Sequence, residues 1–263
     1  MGDAQQGEIE QPDQDVCLNI LGTNVSVLTF LEAEEKLGIK VDEKSAFIFS
    51  SANVYSVMLG YDDPSFREMV NDADVVLPDG MPLVWASRLL GHPNAERIHG
   101  DDFMLACFGK YRAWRHFFVG GRVGQAQKVI TSLRNRFPGI HIAGSHETPE
   151  RPISEIENAC LMKEIETANP DIIWVGMGTP LQDYWMRDNK AFIHCPMVGV
   201  GSSFDILAGY TRPAPLWIKK LGLQWLFRLL QEPRRLSRRY LFYNPRFILA
   251  IIKQLTGRQL DKE

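Results

Sequence analysis

Six short apolar, β-branched runs recur along this chain at helix-length intervals, and no other feature constrains the fold as much. Residues 46–50, 74–77, 116–119, 140–143, 171–175 and 197–200 are each too short for a buried helix and read as buried strands. Segments of helical period lie between them, at 64–71, 82–90, 101–111, 123–137, 153–168 and 181–190. Parallel strands need a crossover that returns the chain to the same end of the sheet, and a helix supplies it. The alternation therefore predicts an α/β fold: a Rossmann-like, open, mostly parallel sheet with helices on both faces. Ahead of it, residues 16–21 and 24–29 flank Gly22-Thr23 and predict a hairpin.

Charge divides the chain where its average does not. The formal net charge is −3, yet between Arg212 and Arg258 eleven Lys or Arg face one acid, Glu232, a local +10 that leaves −13 for the remainder. Thr211-Arg212-Pro213-Ala214-Pro215 marks the change, because two prolines interrupt any regular element there. Three regions are expected: a polar, acidic, disordered lead over 1–15, an α/β catalytic domain over 16–211, and a basic amphipathic appendage over 212–263. The appendage reads as helical at 216–231 and 233–243, with a break at Asn244-Pro245 before 247–255. Trp217, Leu221, Trp225, Leu226, Leu229 and Leu230 are interleaved with its cations, the composition of a helix lying on an anionic membrane surface. Nucleic acid is not expected as a partner, since no recognisable nucleic-acid fold surrounds these charges. The four cysteines are far apart and do not cluster with histidine, so neither zinc nor a disulfide framework is indicated, and a reducing cytosol fits best. No apolar run reaches the ~18 residues of a spanning helix.

In an open α/β sheet ligands bind outside the carboxyl ends of the strands, and every residue of chemical interest here follows a predicted strand. Asp79 stands in Leu77-Pro78-Asp79-Gly80, where a tight turn lifts a carboxylate into the cleft as a candidate general base. Ser51-Ala52-Asn53 closes an earlier strand, Arg97 follows in Glu96-Arg97-Ile98-His99-Gly100, and Gln182 follows Gly176-Met177-Gly178-Thr179. Gly120, Gly178 and Gly201 lie in glycine turns that let backbone approach a phosphate. None is a Walker A loop or a complete dinucleotide fingerprint. Each has an ordinary alternative: Asp79 and Gly80 are turn formers, Asn53 a helix cap, Arg97 a surface arginine. His99 is a second titratable group with no role assigned. The chain is read as free of any Asp-x-Asp pair, which argues against divalent-metal binding.

Together with Gly199-Val200-Gly201-Ser202-Ser203-Phe204-Asp205, Arg212-Pro213-Ala214-Pro215, Gly222-Leu223-Gln224-Trp225-Leu226-Phe227-Arg228 and Glu232-Pro233-Arg234-Arg235, these segments stand in one order over residues 16–245. In that order the chain resembles the WecG/TagA/CpsF family of bacterial glycosyltransferases, glycosyltransferase family 26. Ser51 stands where the family has threonine, keeping the hydroxyl. The resemblance implies an inverting transfer of a sugar, N-acetylmannosamine-type or hexose, from a UDP-sugar to an undecaprenyl-diphosphate-linked saccharide. Such steps build teichoic acid linkage units, enterobacterial common antigen or exopolysaccharide at the inner face of the plasma membrane. It implies Asp79 as base, and Ser51, Asn53, Arg97 and Gln182 as substrate-binding residues. Gly120, Gly178, Gly201 and Asp205 would hold UDP, and Arg228, Arg234 and Arg235 would close on the diphosphate, with no cofactor and no metal. The expected partners are the UDP-sugar, the lipid-linked acceptor and the anionic membrane surface; oligomeric state, a homo-oligomer included, stays open. Two other classes compete: an NAD-dependent Rossmann dehydrogenase, which the missing fingerprint disfavours, and a membrane-docked nucleotide-binding regulator.

Overall fold

The computed structural model describes residues 16–257, so the acidic lead over 1–15 and Arg258 lie outside the described residues. A hairpin comes first, β1 (Cys17–Ile20) and β2 (Thr23–Ser26), paired antiparallel with Ile20 opposite Thr23. Its two-residue turn is Leu21-Gly22 at φ 52° and 91°. Two left-handed residues match the twist of a tight hairpin, which is why a glycine is useful there. The elements that follow are α1 (Phe30–Asp42), β3 (Ile48–Ala52), α2 (Val54–Asp62), α3 (Pro64–Asn71), β4 (Val75–Pro78), α4 (Met81–Leu89) and α5 (Gly100–Lys110). Next come β5 (His116–Gly120), α6 (Gln125–Arg136), β6 (Ile142–His146), α7 (Glu155–Ala168), β7 (Ile172–Gly176), α8 (Leu181–Asn189), β8 (Met197–Gly199) and α9 (Ser203–Leu207). The basic segment forms α10 (Leu216–Lys220), α11 (Gln224–Gln231) and α12 (Pro233–Leu255).

Strands β3 to β8 make one six-stranded sheet in the order β4-β3-β8-β7-β5-β6, every pair parallel. Its strands are apolar on both faces because both are covered. Phe49, Val75, Phe118, Trp174 and Val198 pack beneath α1, α5 and α6, while Ile48, Phe117, Ile173 and Met197 pack beneath α7 and α8. Since all six strands run the same way, their carboxyl ends share one edge. Asn53, Asp79, Gly121, Met177 and Val200 leave the sheet along that edge.

The predicted fold class is the observed one, with local differences. Helices α1 and α2 were not anticipated. The strand expected at 140–143 is displaced to Ile142–His146, and the helix expected over 216–231 is two, α10 and α11. The break expected at Asn244-Pro245 is absent, because α12 runs through Pro245. Proline there removes the donor for the carbonyl of Leu241, but Leu241 and Phe242 are exposed and water can serve that carbonyl. The helix is also pinned on the far side. Phe247, Ala250 and Ile251 are buried with Ile20, Val57 and Met58, and Arg246 pairs with both oxygens of Asp62 at 2.7 and 2.8 Å. The end of the basic segment is thus packed into a core of the main body, while Leu216, Trp217, Leu221, Leu230, Leu241 and Leu249 remain exposed.

Candidate active site

A cleft of about 530 Å³ opens at the carboxyl edge of the sheet, roofed by α11 and the first turns of α12. Asp79 sits on its floor, half-buried, in the turn between β4 and α4. Its backbone N–H donates to the carbonyl of Ala52 at 2.8 Å, tying this turn to the end of β3. Its carboxylate Oδ1 accepts from the N–H of Gly100, the first residue of α5, at 3.2 Å. The favourable field of that helix N-terminus therefore acts on the carboxylate, which leaves its other oxygen for a ligand.

The neighbours on β3 serve structure as well as lining. Ser51 Oγ donates to the carbonyl of Gly199 at 2.6 Å, crossing from β3 to β8. Asn53 caps α2, its Oδ1 accepting from the N–H groups of Tyr55 and Ser56 at 3.0 and 3.3 Å. The capping alternative for Asn53 is thus correct, and the same oxygen also accepts from Arg239 Nη2 at 3.1 Å inside the cleft. Gln182 is buried, and its Oε1 accepts from Gly201 N–H at 3.0 Å, shaping the turn after β8. The next residue, Asp183, is buried with one oxygen accepting from Ser50 at 2.9 Å and the other unpartnered. Burial pushes its carboxyl up to about 6, against the hydroxyls of Ser50 and Thr179.

At the other end of the cleft lies Asp205. Its Oδ1 accepts from Gln125 Nε2 at 3.0 Å and stands 3.9 Å from Arg122, and its Oδ2 is 3.9 Å from Arg235. Gly178 and Gly201 line the cleft; Gly120 does not. A Cβ on Gly120 would stand 2.8 Å from the Gly176 carbonyl carbon, so its role is the close approach of β5 to β7.

The basic segment contributes most of the positive charge. Arg228, Arg235 and Arg239 all line the cleft. Arg228 and Arg239 each bury an Nε with no partner. Arg239 lies over the Tyr55 ring at 4.0 Å, and burial lowers its pKa, with Arg228 and Arg235 acting in the same direction. Arg234, expected beside them, is exposed and outside the cleft, because its position on α12 points away from Arg235 and Arg239. Arg239 takes the place assigned to it.

Behind Asp79 a second group of charges joins the main body to the tail. His99 is buried, its Nε2 3.8 Å from Asp79 Oδ1 and its Nδ1 in a short contact with Asp101. Burial opposes charge on this imidazole, but Asp79 and Asp101 outweigh it and raise its pKa. Arg97 reaches Asp102 at 3.4 Å and donates to Gln224 of α11, whose amide nitrogen is 3.0 Å from His99 Nε2. Lys219 of α10 reaches Asp102 at 2.7 Å and Asp101 at 3.5 Å. His99, Asp101 and Asp102 offer donor atoms within 4.8 Å of one another, and the cation seated against both carboxylates is the Lys219 ammonium. Sequence reasoning missed Gln224, Gln125 and Arg239, which only the folded chain brings to the cleft, and Lys219, which it brings to Asp101 and Asp102. Two Asp-x-Asp pairs do exist, Asp13-Gln14-Asp15 outside the described residues and Asp72-Ala73-Asp74. The second stands at the amino end of β4, where Asp74 accepts from Ile48 N–H and Lys190, at the opposite edge from the cleft.

A parallel sheet with an anion-attracting cleft at its carboxyl edge and a carboxylate in the floor defines a Rossmann-like enzyme. The chain belongs to the glycosyl transferase WecG/TagA/CpsF family, whose model matches residues 18–261. It is 27% identical to the N-acetylglucosaminyldiphosphoundecaprenol N-acetyl-beta-D-mannosaminyltransferase of Bacillus subtilis (strain 168), over 90% of each chain. Proteins of the same name from Bacillus spizizenii and Staphylococcus aureus (strain MW2) are 30% and 29% identical, over 80% of this chain and 80% of the relative, and 88% and 91%, respectively. Membership of a transferase family decides against the dehydrogenase alternative. Among the described residues no helix is long and apolar enough to cross a membrane.

Proposed function

We propose that this protein transfers an N-acetylmannosamine-type sugar from UDP to a saccharide carried on undecaprenyl diphosphate, with inversion and without a metal, in cell-surface polysaccharide synthesis. The observation that carries the reading is the pairing of one carboxylate, Asp79, with the cluster Arg228, Arg235 and Arg239 across a single cleft. Transfer needs a base for the acceptor hydroxyl and a means of stabilising the departing diphosphate, and these two groups supply them. Asp79 takes the hydroxyl proton as that oxygen attacks the anomeric carbon. The arginines, two of which bury an unpartnered Nε, take up charge on the leaving UDP. Asp205 and Gln125 stand at the far end of the cleft, where they suit the uridine. Ser51, Asn53, Arg97, Gln182, Gly178 and Gly201 complete the wall.

The exposed apolar residues of α10 to α12, with Arg234 and Arg238 exposed among them, suit docking on an anionic membrane surface at the inner face of the plasma membrane. A lipid-linked acceptor would then meet the cleft at the surface. A panel of UDP-sugars against a synthetic prenyl-diphosphate saccharide, run with and without excess EDTA, tests the proposal. Turnover with UDP-N-acetylmannosamine, unaltered by EDTA, is the expected result. Absence of turnover with every donor would favour the membrane-docked regulator, and a rate restored only by magnesium or manganese would contradict the metal-independent step.

A further inference from the structure

We propose that the prenyl chain of the lipid-linked acceptor leaves the cleft along a surface track formed by Met81, Trp85 and Leu89 of α4 and by Leu221 and Leu223, which flank Gly222 between α10 and α11. The inference rests on the acceptor being prenyl-linked, as the proposed function has it.

The track begins inside the cleft. Met81, the first residue of α4, lines it together with Asp79 and Gly222. Gly222 has φ 70° and lies so close to α4 that a Cβ there would stand 2.8 Å from the Trp85 ring and 3.2 Å from Met81 Cγ. Glycine permits both that backbone and that approach. The turn between α10 and α11 is thus seated on α4 at the edge of the cleft.

Beyond this contact the surface stays apolar. Helix α4 packs inward through Leu83, Val84, Ala86 and Ser87, so its stability asks for nothing apolar on the outward side. That side nevertheless carries Trp85 and Leu89, 44% and 67% exposed, in register with Met81 at intervals of four residues. Leu221 and Leu223 are exposed beside Gly222. The neighbouring cations are engaged elsewhere: Arg88 donates through Nε and Nη2 to the carbonyl of Ala95 at 3.2 and 3.0 Å, and Lys219 is held by Asp101 and Asp102. An exposed apolar strip from which the cations are withdrawn suits hydrocarbon rather than sugar or phosphate.

The connectivity of the acceptor selects the occupant. Its attacking hydroxyl, sugar, diphosphate and prenyl chain follow one another in line. With the hydroxyl at Asp79, the polar groups lie within the cleft and the first isoprene units emerge where α4 meets the tail. From Met81 to Leu89 the helix rises about 12 Å, room for roughly two or three of those units.

The test measures KM for acceptors carrying one to five isoprene units, without vesicles or detergent and below the concentration at which they aggregate. KM should fall ~10-fold per unit over the first two or three units and then level, since burying one methylene is worth a factor of about four and an open track buries only part of each unit. Leu89→Gln, at an exposed position outside the cleft, should remove the last of these steps, and Trp85→Gln the earlier ones. The acceptor with one unit is each variant's own reference, so a general loss of activity cannot imitate the result, and Leu89→Gln alone decides the matter if Trp85→Gln does not fold. A dependence on chain length that is the same in both variants as in the unaltered protein, with weakened binding to vesicles, would show that the strip touches only the bilayer and would overturn the proposal. If the unaltered protein turns over no donor, the proposed function has failed independently, and labelling by a prenyl diphosphate with a photoreactive group on its chain still tests the track. Adducts within residues 81–89 and 221–223 are expected; adducts confined to α12 would refute it.

Discussion

Arg239 is where ligand binding and stability make opposite demands, so replacing it separates them. Its guanidinium is largely buried, lies over Tyr55 at 4.0 Å, donates once to Asn53, and leaves Nε unpartnered beside Arg228 and Arg235. In Arg239→Met the apolar stem is kept. The protein loses a cation–π contact and one hydrogen bond, about 1 kcal/mol each. It is relieved of a buried unpaired donor, worth ~1–3 kcal/mol, and of repulsion between like charges. The net change in unfolding free energy should be within ~1 kcal/mol of zero, in either direction. A charge-assisted bond to a diphosphate is worth ~1.5–3 kcal/mol, so UDP should bind ~10- to 150-fold more weakly. Calorimetric titration with UDP, beside a urea unfolding curve, reads both. A variant several kcal/mol less stable with unchanged UDP affinity would show that Arg239 is a structural clamp and refute the reasoning.

Two further outcomes are expected. Arg234→Glu with Arg238→Glu changes two exposed cations outside the cleft, so binding to anionic vesicles should weaken by several kcal/mol at ~1 kcal/mol per basic residue, counting lost attraction and added repulsion; transfer to a short water-soluble acceptor should be unchanged, and an equal loss of that transfer would show that these residues act in the site. Asp183 takes up its proton at about 6 in the folded protein against 3.8 ordinarily, so between those values the folded state binds more protons than the unfolded and stability falls as pH rises. Asp183→Asn lacks that slope and should gain on the unaltered protein by up to ~3 kcal/mol between pH 4 and pH 7; a difference in unfolding free energy that is the same at both pH values would contradict the raised proton affinity of this buried carboxyl.

The sheet was legible because its strands are buried on both faces and so appear as unbroken apolar runs, and their parallel direction made the strand-end turns converge. That is why Asp79, Asn53, Gln182 and Asp205 could be placed in one cleft from sequence. Helix α1 carries a legible signal: Thr29 and Glu32 form a capping box, and Ala33, Leu37 and Val41 repeat every four residues. Helix α2 left less, since it is covered by β2 and β3 as well as α12 and its apolar residues mark no single face. Pro245 misled because helix propensity is a local quantity, whereas α12 is held by Phe247, Ala250, Ile251 and the Arg246–Asp62 pair. The network of His99, Asp101, Lys219 and Gln224 could not be read at all. Its two halves, His99 with Asp101 and Lys219 with Gln224, are more than a hundred residues apart in the chain, and no spacing rule relates them.

The central claim is that Asp79 is the base. Asp79→Asn is isosteric, and its amide oxygen can still accept from Gly100 N–H, so folding and UDP affinity should be retained. Transfer, measured with purified protein, saturating donor and a soluble acceptor, should fall by ~100-fold or more, as removal of a general base commonly produces. A variant that folds, binds UDP and transfers at the original rate would contradict the account.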